Sequence, residues 1–209
     1  MSSLPANLPL KRASDLESAH DSQDIIETLA GRLIELESDA AGGALTATSI
    51  LIRKVQEKQQ DAVWISATKT LFFPPDFASN GLDLDRLPIV RTTSATSAAH
   101  AADHLLRSEA FRLLVLDLAD HTDISLAQQG RIVQLAGKKN AIVLFLTDRN
   151  TRRRAEGGSF GSLVSLHGVA SHTQKESDRF RLSVRVTKDK RNGPGWMWQE
   201  VCHGPVGLC

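Results

Sequence analysis

The 209-residue sequence predicts an α/β fold: a mostly parallel sheet flanked by helices, with an antiparallel hairpin at its C-terminal edge. Three observations carry that prediction. Strand-like and helix-like segments alternate as far as Arg149, as in chains that wind helices over both faces of a parallel sheet. Two of the strand segments, "FRLLVLDLAD" and "NAIVLFLTD", are nearly continuous apolar runs, which suits strands buried on both faces. Beyond Arg149 the segments "LVSLHGVASH" and "FRLSVRVTKDK" alternate apolar with polar, as strands with one wet face do.

Each element follows in order. Residues 1–14 hold three Ser and two Pro without periodicity and read as a flexible lead-in. Asp15–Leu29 suits an acidic helix capped by Ser14 or Asp15. Arg32–Glu37 alternates as a first strand does. Ala44, Thr48, Ile52 and Ala47, Leu51, Val55 form two rows at a spacing of four, one broad apolar helix face. Asp61–Ala67 is a second strand; Pro74-Pro75 then break the chain ahead of a short helix, and "PIVRT" is a third short strand. Ala98, Ala101, Ala102, Leu105 and Leu106 mark a core-facing helix. The buried strand ending near Asp117, a helix over Leu126–Lys138 and the second apolar strand complete the parallel part. The last two strands are joined by the polar "TQKESD". The core is placed at residues 15–195, followed by a C-terminal tail at 196–209.

Composition bounds the function. Hydrophobic content of 41% and charged content of 23% are those of a soluble globular chain, and a net charge of +1 leaves no global field to attract nucleic acid or membrane. No apolar run reaches membrane-spanning length, and the N-terminus lacks the apolar centre of a secretion signal. Cys202 and Cys209, with His203 beside the first, make neither a disulfide framework nor a good metal site, so a reducing cytoplasm is expected. His100, His104, His121, His167 and His172 are scattered singly, as surface or core residues are rather than metal ligands. With 5% aromatics and no Tyr, broad base-stacking platforms are not expected.

The segment "SDAAGGAL", Ser38–Leu45, lies between a strand and a helix, where a phosphate-cradling G-x-x-x-x-G-K-[ST] loop would lie. Ser38 takes the first Gly position, Gly43 keeps the second, and Ala44 and Leu45 replace the Lys and the Ser/Thr. Together with "GLDLDRLPIV", "LLVLDLAD" and "VTKDKRNGP", in that order, the segment resembles the ATPase core of RecA-type recombinases from about Gly31 to Gly195. The short chain and eroded loop are most similar to the ImuA family of accessory proteins in damage-induced (SOS) mutagenesis.

The resemblance implies a RecA-like P-loop core with a degenerate nucleotide loop made of Ser38, Gly42, Gly43, Ala44 and Leu45, and Asp117 at the metal-associated (Walker-B-like) strand. A working loop needs a Lys against the phosphate charge and a hydroxyl for Mg²⁺. Ala44 and Leu45 supply neither, and one lost charge-assisted hydrogen bond costs about 1.5–3 kcal/mol. Asp39 adds a carboxylate beside the same turn. Where the family has a water-activating acid this chain has Thr68 or Lys69, and where it has a polar sensor this chain has Thr147 and Asp148. The expectation is a pseudo-ATPase with no cofactor and no metal, in which Gly42 and Gly43 leave amides able to hold an anion weakly.

Three segments are candidates for contact with other macromolecules. Arg149, Arg152, Arg153 and Arg154 occupy the loop that touches single-stranded DNA in the family, although a charge run of this kind is equally a solvated loop. The family's other DNA loop corresponds to "LADHTDIS", which is short and carries Asp120 and Asp123. Lys188, Lys190 and Arg191 match lysines that reach across a subunit boundary in RecA, and they equally suit an edge strand guarded by charge. Trp196 and Trp198 either pack on the domain or dock a partner. The resemblance thus implies a non-catalytic adaptor in DNA repair and translesion synthesis, cytoplasmic and nucleoid-associated, touching RecA and an ImuB-like Y-family protein and no membrane. A RecA paralogue binding single-stranded DNA as a recombination mediator is the alternative, and a SulA-like inhibitor of cell division ranks below both.

Overall fold

The computed structural model describes residues 24–39, 43–67, 81–119, 123–148, 160–176 and 179–203. In chain order the elements are α1 (Ile25–Leu29), β1 (Leu33–Ser38), α2 (Ala44–Glu57), β2 (Ala62–Ser66), β3 (Ile89–Arg91), α3 (Ala95–Ser108), β4 (Leu113–Ala119), α4 (Leu126–Lys139) and β5 (Ile142–Asp148). A 3-10 turn (Gly161–Leu163) then leads to β6 (Leu166–Glu176), β7 (Arg179–Asp189) and β8 (Met197–His203). All eight strands form one sheet in the order β3-β2-β4-β5-β1-β6-β7-β8. Pairing is parallel from β3 through β6 and antiparallel for β6–β7 and β7–β8.

The two apolar runs become β4 and β5, adjacent in the middle of the parallel part. Their alternate side chains feed two separate cores, which is why neither shows a polar period. One core lies under α1 and α2 and holds Ile34, Leu36, Trp64, Val115 and Leu144; the other lies under α3 and α4 and holds Leu33, Val63, Leu116, Phe145 and Phe160. The six apolar-face positions read on α2 are all buried. Ser94 caps α3 by accepting from the Ser97 N–H, and Ser125 with Gln128 forms a capping box on α4. Both helices end at a left-handed residue, Glu109 and Asn140.

Three boundaries differ from the sequence reading. The described helix in this region is Ile25–Leu29, capped by Asp24, whose carboxylate accepts from the Ile26 N–H; Ser14 and Asp15 lie outside the described residues. Most of the polar "TQKESD" is paired strand, with β6 continuing to Glu176, because ladder hydrogen bonds to β7 do not depend on apolar side chains. Residues 197–203, read as a tail, are the last strand of the sheet, and "MWQEVCH" alternates as an edge strand must. Among the described residues no helix is long and apolar enough to cross a membrane.

Candidate functional site

The β1–α2 turn lies at the carboxyl edge of the sheet, where open α/β sheets bind ligands. β1 sits between β5 and β6, so Ser38 is flanked in register by Asp148 and Ala170. The Asp39 N–H donates to the Ala170 carbonyl at 2.9 Å, which fixes the chain as it leaves the strand. Gly43 re-enters at φ 119° and leads directly into α2. A Cβ at Gly43 would lie 3.0 Å from the Ser171 nitrogen and 3.1 Å from the Ala170 carbonyl carbon. Both the dihedral and the close packing on β6 demand glycine there.

The first turn of α2 has its own partner. The Ala44 N–H donates to Ser38 Oγ at 3.1 Å, so a side chain from the end of β1 meets one of the amides that a helix start leaves over. Leu45, the next residue, is 57% exposed and turns an aliphatic surface outward. Gly42 lies outside the described residues. Along the same edge, Asp117 pairs in register with Ser66 of β2 and Leu146 of β5, and its carbonyl accepts from the Ala67 N–H at 2.9 Å. By alternation with Leu113 and Val115, Asp117 faces the α2 side of the sheet, as Ser38 does. Thr147 points to the other face, 3.4 Å from Glu35.

Arg149, Arg152, Arg153, Arg154, Thr68 and Lys69 lie outside the described residues. Lys188, at the end of β7, and Lys190 and Arg191, in the turn after it, lie close in sequence, and each cation is directed at a main-chain carbonyl of the same chain. Lys188 Nζ donates to Gly161 O at 2.7 Å, Lys190 Nζ to Ser162 O, and Arg191 to Ala30 O at 2.9 Å. Burial, with a smaller push from Lys190, lowers the Lys188 ammonium from its usual range. Trp196 and Trp198 are half-buried against the core under α1 and α2, and the Trp196 indole N–H donates to Asp189 at 3.1 Å.

Sequence reasoning missed the polar groups inside the sheet. Glu35, Glu37 and His167 are all buried, and a donor atom from each lies within 4.8 Å of the others. Arg32 and Asp189 are buried too, as an ion pair. The alternation of "RLIELE" did contain the signal. Its polar positions would face water only on a sheet with one covered face, and β1 is central and covered on both.

The fold and this turn define an α/β domain of the phosphate-loop type: a central parallel strand, a glycine turn, and a helix start directed at the carboxyl edge. Comparison with known proteins then narrows the class. The chain is 27% identical over 185 residues to Protein RecA of Cereibacter sphaeroides, covering 78% of this chain and 52% of that protein. It is 27% identical over 176 residues to Protein RecA of Picosynechococcus (75% and 47% covered) and 28% identical over 176 residues to Protein RecA of Rickettsia africae (75% and 48%). The chain therefore spans about half the length of the curated relatives it matches. No protein-family model matches it. Similarity over most of the chain and the mixed sheet together support the RecA-like superfamily and an α/β RecA-like core.

Proposed function

We propose that this chain is a non-catalytic RecA-like adaptor in DNA repair, of the ImuA kind, working by contact with RecA and an ImuB-like Y-family protein. The first turn of α2 carries this reading. Where a phosphate loop presents a lysine, a hydroxyl and free amides, this chain presents Ala44, exposed Leu45, and an Ala44 N–H already bonded to Ser38 Oγ. With neither charge nor hydroxyl to grip a triphosphate, the scaffold's work falls to its surfaces. The similarity to RecA supports the repair setting, and Lys188, Lys190 and Arg191, at the end of β7 and the turn after it, supply basic groups suited to an acidic partner.

Two measurements test the proposal. Calorimetric titration with Mg-ATP should give no saturable binding, and immobilised chain should capture RecA or a Y-family partner without nucleotide or DNA. Magnesium-dependent ATP hydrolysis lost in Asp117→Asn would overturn the reading. Capture that requires single-stranded DNA and disappears when Arg152, Arg153 and Arg154 become Ala would replace it with the mediator function.

A further inference from the structure

We infer that β8 is the contact surface for a second copy of this chain: two β8 strands pair antiparallel about a twofold axis at Gln199, joining two eight-stranded sheets into one. The inference is independent of the adaptor reading and rests on the main-chain phase and register of one edge strand.

The two edges of the sheet are built differently. β3 is three residues long, follows Pro88 and ends on Arg91, so it offers little to a passing chain. β8 has seven residues without proline or lysine, and its ladder with β7 runs from Met197 to His203 without a shift in register. Among the described residues nothing pairs with its outer side. Met197 and Val201 are 45% and 51% exposed, and Gln199 between them is exposed as well. Glu200 does not guard the edge, because Lys54 of α2 meets its carboxylate at 2.8 Å. A long, regular edge carrying apolar side chains is one that proteins ordinarily cover.

The main chain dictates which residues can pair across that edge. Gly195, at φ 102°, and Trp196 together oppose Val186: the Gly195 N–H donates to the Val186 carbonyl at 2.9 Å, and the Val186 N–H donates to the Trp196 carbonyl at 3.0 Å. This is the glycine bulge of antiparallel sheets, and it sets the phase of the ladder beyond it. Trp198, Glu200 and Cys202 turn their N–H and C=O groups toward β7, so Met197, Gln199 and Val201 turn theirs outward. Two copies must therefore match outward residue with outward residue.

An axis at Gln199 does this and sets Met197 opposite the partner's Val201 on both sides of the axis. Gln199 meets its own counterpart, and a carboxamide can donate and accept in both directions. Three such pairs exchange about six main-chain hydrogen bonds, two in each. Glu200 meets the partner's Trp198 rather than a like charge. Moving the axis to Glu200 places two carboxylates directly opposite each other, which is unfavourable. Moving it to Trp198 leaves Val201 opposite Gly195, which has no side chain to cover it. Arg185 and Arg181, the β7 neighbours of Met197 and Val201, lie three strand spacings from the partner's Arg181 and Arg185, about 14 Å, where salt screens their repulsion. The favoured register is thus self-complementary, as a closed twofold contact requires.

The test is the oligomeric state of the full chain, by sedimentation equilibrium at concentrations up to about 1 mM. The wild type should show a reversible monomer–dimer equilibrium, weak because one strand pair buries a small area. Met197→Lys/Val201→Lys sets Lys opposite Lys in both outer pairs and should weaken the dimer at least about tenfold. Met197→Lys/Val201→Glu sets Lys opposite Glu in the same pairs and should dimerise more tightly than the double-lysine variant by a similar factor. Within one chain the two positions are about 14 Å apart, too far for a contact between them to produce that difference. Both positions are exposed, and circular dichroism confirms that each variant is folded. A wild type that stays monomeric throughout overturns the inference and leaves the edge to a strand of another protein. A dimer that survives the double-lysine change, or one lost equally in both variants, also overturns it. So does growth beyond the dimer, which a closed twofold contact does not allow.

Discussion

Arg32 and Asp189 form a fully buried ion pair, Nη2 to Oδ1 at 2.5 Å, joining the residue before β1 to the last residue of β7. Neither group relies on the other alone. Arg32 also donates to the Ser165 carbonyl at 3.0 Å and to Ser165 Oγ at 3.1 Å. Asp189 accepts from the backbone N–H groups of Arg191 and Asn192 at 2.8 and 3.1 Å, and from the Trp196 indole. The pair thus anchors the turn that bears the basic cluster. Removing one partner strands a buried charge, which costs about 3–5 kcal/mol. Asp189→Ala should lower the stability measured by urea unfolding by that amount, whereas the double change Arg32→Met/Asp189→Leu should lose much less. Equal losses would mean that packing rather than charge governs the site.

The same carboxylate sets an acid limit. Burial pushes the Asp189 carboxyl up, but the Arg32 hydrogen bond and the Arg191 and Asn192 amides outweigh it and hold the group below its ordinary range. A depressed folded-state pKa contributes stability that is complete above the unfolded value of about 3.9 and is lost as pH falls toward the folded value. Unfolding free energy should therefore drop below about pH 4. Asp189→Asn should flatten that limb of the profile while lowering stability at neutral pH.

At the β1–α2 turn, two changes separate capping from backbone geometry. Ser38→Ala removes the acceptor for the Ala44 N–H and should cost about 1 kcal/mol. Gly43→Ala forces a side chain into φ 119° and against the Ser171 nitrogen, a backbone atom that cannot swing away. Its cost should be the larger, about 1–3 kcal/mol. Denaturant midpoints measure both. A neutral Gly43→Ala would show that the turn relaxes and that the glycine has another purpose.

The basic cluster yields a prediction that stability cannot mimic. Lys188 and Lys190 bond main-chain carbonyls at the surface, where each such contact contributes about 0.5–1.5 kcal/mol. Replacing both with Ala should leave the chain folded with a modestly lower Tm. If this turn is the partner surface, capture of RecA or the Y-family protein should fall at least tenfold, since charge-paired contacts there govern both encounter and retention. Unchanged capture would remove these lysines from the interface.

The parallel part of the fold was legible because its signals are local. Continuous apolar runs became β4 and β5, and the four-residue rows became the buried face of α2. The loop substitutions at Ala44 and Leu45 were equally plain. What escaped depends on the position of a strand in the sheet. Glu35 and Glu37 look like the wet side of an alternating strand until both faces of the sheet at β1 are seen to be covered. His167 looks isolated until β6 lies next to Glu35. The bulge at Thr187 of β7 carries no signal at all, since it is created by register between strands and not by composition.

The C-terminal strand was read as a tail because Gly193, Pro194 and Gly195 interrupt the chain before it. Its removal gives the last prediction. Alternation turns Trp198 and Cys202 onto the core under α1 and α2 and leaves Met197 and Val201 exposed; Lys54 of α2 meets Glu200 at 2.8 Å. Ending the chain at Gly195 uncovers that core and strips Trp196 from Asp189. It also leaves β7, with Leu182, Val184 and Val186, as an open edge ready to pair with another chain. Burying each large side chain is worth about 1.5–3 kcal/mol, so loss of the two tryptophans alone rivals a typical margin of stability. The truncated chain should elute as aggregates with light scattering at every concentration tested, while Trp198→Leu in the full chain should stay monodisperse with a lower Tm. A truncated chain that remains monodisperse and folded would show that β8 is dispensable to the core and free to serve a partner instead.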